Sequence, residues 1–355
     1  MAETVFKKLL LYAPAFAVFA VCLWGLIFHP AKIADGVRWG LLLLGEKVIP
    51  SLFPFMVFSS CVSKTTFFYS ATKLFEKLTL KTFKISGAGF GAIILGLLGG
   101  YPVGAKTVSD FYLCGKISKN EAQRLICWCT NPAPAFVITA VGTLMLSSYK
   151  TGLLLYASSL LSAFTIGFFS RFFHAQQQEA NSTTLLKAEK NIFVNSVAQS
   201  GETMLGICGW LLTFSAISSL TDVLIPQKNA ALFLKALAEV TTGCQSVAEH
   251  SLPVPIISAL LGFGGFAVIF QVNTYIRNCE FPLKTFICIK LLNGAMNAFF
   301  CSLLIKIFPQ ATEVYVTLNA GSFSFPVSQS ITTAVILLIM CALFVIEVDN
   351  KRKVC

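Results

Sequence analysis

Residues 9–28 (LLLYAPAFAVFAVCLWGLIF) are twenty consecutive positions without a charged side chain. As a helix, a run of that length spans the roughly 30 Å hydrocarbon core of a bilayer. Lys7 and Lys8 precede it, as in a signal peptide, but the run exceeds an ordinary signal core and His29-Pro30 is not a small-residue cleavage site, so a retained span is expected. Apolar segments of similar kind recur to residue 347, and only 12% of the 355 residues are charged, about half the share usual in soluble domains. The chain therefore reads as an all-α polytopic membrane protein in contact with the lipid bilayer.

The formal net charge is +11. Its lysines lie between apolar segments, which is the positive-inside bias of membrane proteins and gives no reason to expect a nucleic-acid partner. Residues 64–84 carry Lys64, Lys73, Lys77, Lys81 and Lys84 against one acid, Glu76, and are expected on the cytoplasmic side. The twelve cysteines are scattered, mostly within apolar segments, with no metal-site spacing and no disulfide framework. No metal or cofactor is implied. The three histidines fall at segment ends and loops, no nucleophile–base pattern is supported, and an enzyme is not expected.

The organisation expected is an N-terminal span in residues 1–32, a first repeat in 33–173, a polar linker in 174–190, a second repeat in 191–327, and a C-terminal span with a basic tail in 328–355. Within the first repeat, residues 33–63 form a helix interrupted at Pro50 and Pro54, and residues 70–84 a surface amphipathic helix. Ser118, three residues before Glu121, is a helix-start signal.

Three places break the apolar pattern. Gly99-Gly100-Tyr101-Pro102 precedes a new helix that carries Lys106. Asn131-Pro132-Ala133-Pro134 is the second break and Gly262-Phe263-Gly264-Gly265 the third. An offset of 165 places Gly99-Gly100 on Gly264-Gly265 and Lys106 on Gln271. Paired interrupted segments at matching positions in two halves point to a transporter site between inverted repeats. With each glycine break as the tip of a re-entrant hairpin, the second half runs inverted. The basic residues Lys351, Arg352 and Lys353 then end outside, against the charge bias.

GGYPVGAKT is one residue out of register for a phosphate-binding loop, because Ala105 stands before Lys106. A helix beginning at Pro102 aims free N–H groups and a positive dipole end at whatever lies ahead of it, and Lys106 adds a full charge one turn in. The set suits a carboxylate or phosphate. Lys106 also has Asp110 at i+4 as a structural partner, and Gly96, Gly100 and Gly104 form a small-residue face suited to close packing. The candidate substrate-binding residues are Gly99, Gly100, Tyr101, Pro102, Lys106, Thr107, Asn131, Gln271, Asn273 and Asn293. Glu239, Thr241 and Thr242 are the candidates for ion coupling. In this reading the first half supplies the charge that meets an anion and the second half neutral hydrogen-bonding groups.

The run GLLGGYPVGAKTVSDFYLCGKISKNEAQRLICWCTNPAPAFVITAVG, with IPSLFPFMVF upstream, resembles the YlbJ-type sporulation integral membrane proteins, which carry the nucleoside-recognition Gate domain. It departs from that pattern at Thr130 and at Pro132-Ala133. The resemblance covers residues 33–347. It implies a fold similar to concentrative nucleoside transporters, placement in the outer forespore membrane, and movement of dipicolinate, a small aromatic dicarboxylate, during endospore formation. Ion-coupled nucleoside transport is the alternative, and a non-transporting sporulation scaffold the rival from another class. A homo-oligomer is left open.

Overall fold

The computed structural model describes residues 20, 23–172, 191–225 and 227–309. The expected N-terminal span (mostly), the polar linker, and the C-terminal span with its basic tail lie outside the described residues. Every regular element among those described is helical. Five helical stretches are long and apolar enough to cross a bilayer: Pro30–Val62, Tyr149–Ser170, Ile192–Thr221, Val254–Asn273 and Leu283–Ile307. The chain is an all-α polytopic membrane protein.

Helix α1 (Pro30–Leu43) runs through a π-helical turn at Leu44–Val48 into α2 (Ile49–Ser63). Pro50 sits in the first turn of α2, where its missing N–H costs nothing, and Pro54 lies inside the helix. The stretch read as one amphipathic helix is two short ones, α3 (Thr66–Leu74) and α4 (Glu76–Phe83). Next, α5 (Gly87–Gly99) leaves α4 at an angle of 84°, and α6 (Tyr101–Leu113) follows after Gly100, whose φ of 90° is open chiefly to glycine.

α5 and α6 fold back on one another. A Cβ on Gly96 would lie 3.0 Å from Gly104 Cα, and Cβ atoms on Gly96 and Gly104 would lie 2.5 Å and 2.2 Å from the Cys129 carbonyl oxygen. Residues eight apart in a straight helix are about 12 Å apart, so the glycine spacing is the packing face of a hairpin.

α7 (Lys119–Cys129) is capped by Ser118, whose hydroxyl accepts from the Glu121 N–H at 3.2 Å. Glu121 does not return the cap; it accepts from the Ser86 N–H and hydroxyl, both at 2.7 Å, and so ties α7 to the start of α5. After the Thr130–Pro134 break comes a π-helix at Ala135–Met145, then α8 (Tyr149–Ser170).

The second half repeats this order. A long helix, α9 (Ile192–Leu224), packs on α1 where Gly36 and Gly40 approach Ser215. α10 (Lys228–Ala238) and α11 (Val240–Glu249) turn about Glu239, and a Cβ on Gly243 would lie 2.7 Å from Ala236 Cα, as a hairpin requires. α12 (Val254–Phe263) and α13 (Gly265–Asn278) continue one another across Gly264 as one apolar span of 20 residues. α14 (Leu283–Ile307) closes the half.

Each half is thus a long helix, a hairpin, an interrupted span and a long helix. The offset of 165 is corrected by this order: the tip at Gly100 corresponds to the tip at Glu239, and the Asn131–Pro134 break corresponds to Gly264. The second glycine pair is a mid-span interruption and not a hairpin tip.

Candidate functional site

The four interruptions meet. A cavity is lined by Gly99, Gly100, Tyr101 and Pro102 from the first tip, and by Glu239, Val240 and Thr241 from the second. Ala133 and Phe136 come from the first interrupted span, and Ala267, Val268 and Gln271 from the second. Leu52, Trp210 and Leu211 supply apolar wall.

Two helix starts line it, α6 at Tyr101 and α11 at Val240, and the start of α13 at Gly265 lies against the second of them. A Cβ on Gly265 would lie 3.1 Å from the Val240 nitrogen, which measures how closely the last two approach. One start is already capped. Glu239, buried with 3% exposure, accepts from the N–H groups of Thr241 at 2.9 Å and Thr242 at 2.6 Å. Its carboxylate sits against the positive end of α11 and is stabilised there. The other two starts have no side-chain cap, and Pro102 in the first turn of α6 has no N–H to satisfy.

Beneath the first tip lies a polar network that sequence reading saw only in part. Lys290, fully buried on α14, donates to the Thr130 carbonyl at 2.8 Å and stands 5.0 Å from the Tyr101 ring centroid. Tyr101 donates its hydroxyl to the Leu261 carbonyl on α12. One turn along α14, Asn293 donates to Asn131 Oδ1 and to the Gly262 carbonyl, both at 3.0 Å, and its own Oδ1 accepts from Ser162 at 2.6 Å. Asn131 spends its amide on the Trp128 carbonyl at 2.5 Å. These amides join the freed backbone of one interrupted span to the other, as an interruption inside a membrane demands.

The sequence-predicted residues therefore divide. Gly99, Gly100, Tyr101, Pro102, Gln271, Glu239 and Thr241 line the cavity. Thr242 is buried behind it as a donor to Glu239. Asn131 and Asn293 are taken up in the network below. Asn273, half-buried on α13, lines neither of the two cavities described. Lys106 and Thr107 belong to a second, neighbouring cavity. The expectation that Lys106 adds its charge at the helix start is thus corrected: four residues beyond Pro102 it keeps nearly the same face but stands about one turn further along the axis, clear of the tip. Both buried charges near the site, Glu239 and Lys290, come from the second half, which reverses the expected asymmetry. Lys290 was missed, although a lone lysine within FICIKLLNGAMN is an intramembrane ionisable residue and a functional signal in itself.

The chain is similar to the sporulation integral membrane protein YlbJ of Bacillus subtilis (strain 168), with 27% identity over 324 residues that cover 79% of each chain. That likeness agrees with the resemblance carried by the first-half motif. No family model matches the chain, and no solved structure matches it.

Proposed function

We propose that the protein is a membrane transporter or facilitator of a small organic anion, acting on dipicolinate in the outer forespore membrane during endospore formation. The observation that carries this reading is the convergence of two hairpin tips and two interrupted spans on one cavity between the halves, the arrangement in which alternating-access carriers hold a substrate. The uncapped start of α6, which lines the cavity, offers a positive dipole end to a carboxylate. Leu52, Phe136 and Trp210 offer apolar surface to a ring. Glu239 is the coupling group: an anion enters beside it most favourably when its carboxyl carries a proton, so that proton and anion travel together.

A second reading, ion-coupled nucleoside transport, draws support from the apolar walls and from Gln271 and Thr241, which suit a neutral heterocycle with hydrogen-bonding edges. Flux into proteoliposomes with dipicolinate, nucleosides and simple dicarboxylates, with and without proton or sodium gradients, separates the two. Dipicolinate uptake that rises with an inward proton gradient is the expected result. Uptake of nucleosides alone overturns the anion reading. No flux of any solute, together with a co-purifying partner, favours a scaffold.

A further inference from the structure

The second cavity neighbours the first along helices that line both. Three helices line both, in the same order and about one turn apart. On α2, Leu52 lines the inner cavity and Met56 the outer; on α9, Ile207 lines the inner and Thr203 the outer; on α6, Pro102 lines the inner and Lys106 the outer. A turn is about 5.4 Å of axial rise, so the outer cavity is stacked on the inner along a common groove.

Its chemistry is the opposite of the inner one. Lys64, Lys106 and Lys116 line it against one acid, Asp110. Ser59, with 1% exposure, also lines it, and its hydroxyl has no hydrogen-bond partner among the described residues. Lys106 is half-buried and forms no ion pair among the described residues, Asp110 one turn along α6 included. A half-buried ammonium that shares one carboxylate with two further lysines and pairs directly with none, beside an unused hydroxyl, is under-compensated until an acceptor comes to it. A cleft lined by one sign of charge with low-dielectric walls also concentrates ions of the other sign.

We propose that the outer cavity is an anion-binding vestibule, in which Lys64, Lys106 and Lys116 hold a small multivalent oxyanion, a carboxylate or phosphate, before it passes along the groove to the inner cavity. The proposal deepens the anion reading of the inner cavity and rests on it for the direction of passage, but not for the binding itself. The vestibule opens beside the lysine-rich stretch that begins at Lys64, which the charge bias places in the cytoplasm, so the anion is collected from the cytoplasmic side.

Binding of inorganic phosphate to the full chain in phosphatidylcholine nanodiscs, measured by calorimetry, tests the site without requiring transport. Wild type is expected to bind, more weakly as salt rises. Lys106→Gln combined with Lys116→Gln is expected to bind about tenfold more weakly or worse, in line with the loss of charge focusing in a cleft. Lys106→Arg, which keeps the charge, is expected to retain binding and controls for folding. In proteoliposomes the double variant is expected to raise the KM for dipicolinate. Phosphate binding that is absent in wild type or unchanged in the double variant overturns the vestibule. Binding lost when phosphatidylglycerol replaces phosphatidylcholine assigns the cavity to a lipid headgroup and overturns the free-anion proposal. Intact, lysine-dependent phosphate binding without flux of any solute leaves the vestibule standing and removes the transport reading.

Discussion

The ammonium of Lys290 stands 5.0 Å from the centre of the Tyr101 ring, and that ring is held by a hydrogen bond from its hydroxyl to the Leu261 carbonyl. Tyr101 also lines the inner cavity, so a buried lysine stands behind the wall of the candidate site. No carboxylate pairs with it among the described residues; its hydrogen bond goes to the Thr130 carbonyl at the broken end of α7. A cation at a helix C-terminus meets the negative end of the dipole, and the face of an aromatic ring adds a second attraction. The arrangement links the first hairpin tip, the first interrupted span and α14 through one side chain.

Replacing this lysine separates its two possible roles. Lys290→Met keeps most of the volume and removes the desolvation cost of an ammonium buried without a carboxylate partner. It also orphans the Thr130 carbonyl at a cost of about 1–3 kcal/mol. The two nearly cancel, so the melting temperature in detergent is expected to stay within a few degrees of wild type. Dipicolinate flux is expected to fall by about tenfold or more, the scale of losing one good electrostatic contact of about 1.4 kcal/mol at the working state. A variant that melts far below wild type yet transports normally when folded would make Lys290 a packing element only.

The asparagine pair is expected to behave differently. Asn293 satisfies Asn131 Oδ1, the Gly262 carbonyl and the Ser162 hydroxyl at once. Asn293→Ala strands these groups in a site where Asn293 itself is only 1% exposed, at about 1–3 kcal/mol for each group left unsatisfied. A large drop in melting temperature and in the yield of monodisperse protein is expected. Melting like wild type would show that water replaces the amide, and that the network is wetter than its burial implies.

The hairpin contact gives a test with an internal control. A Cβ on Gly104 would lie 2.2 Å from the Cys129 carbonyl oxygen and 3.0 Å from Gly96 Cα, all backbone that cannot step aside cheaply. Gly104→Ala is expected to spread the arms of the first hairpin and destabilise the fold by about 1–3 kcal/mol, the usual range for overpacking. Gly201→Ala, in the same kind of helix but with no atom within 4 Å of the added Cβ, is expected to be neutral or stabilising by up to about 1 kcal/mol from helix propensity. Thermal melts of the two variants side by side decide whether the close approach is real.

Much of this was legible because bilayer physics leaves few options. Apolar runs of bilayer length specify helices, and breaks must be sheltered by protein, so Gly99–Pro102 and Asn131–Pro134 mark interrupted elements from residue type alone. The register of the repeat was not legible. Matching Gly99-Gly100 to Gly264-Gly265 pairs like residues, whereas the fold pairs like tasks. The first tip turns on a glycine at φ 90°, while the second turns on Glu239 in extended backbone, whose carboxylate caps the helix that follows. A glycine and a capping acid solve the same turn by different means, and no identity search equates them. Lys106 was misplaced for a related reason: proximity along the chain to Pro102 hid the turn of axial rise that carries it to another cavity. Lys290 escaped because its partners, Thr130 and Tyr101, are 160 and more residues away.

Glu239 carries the last prediction, because it is both a structural cap and the group assigned to coupling. Both carboxylate oxygens are used, one on the Thr241 N–H and one on the Thr242 N–H. Gln presents a single carbonyl oxygen to these two donors, so Glu239→Gln loses one charge-assisted bond, at a cost of about 1.5–3 kcal/mol. The variant is therefore expected to melt lower than wild type yet to fold, since the α10–α11 turn keeps one of its two cap bonds. What it removes outright is the exchangeable proton. Dipicolinate counterflow, which needs no net driving force, is expected to persist in Glu239→Gln proteoliposomes, while uphill uptake driven by an inward proton gradient is expected to vanish. Glu239→Asp keeps the titrating group but shortens its reach, so gradient-driven uptake returns in part. If the Gln variant still concentrates dipicolinate against its gradient when protons flow inward, the coupling proton rides elsewhere, and Glu239 is the cap of α11 and nothing more.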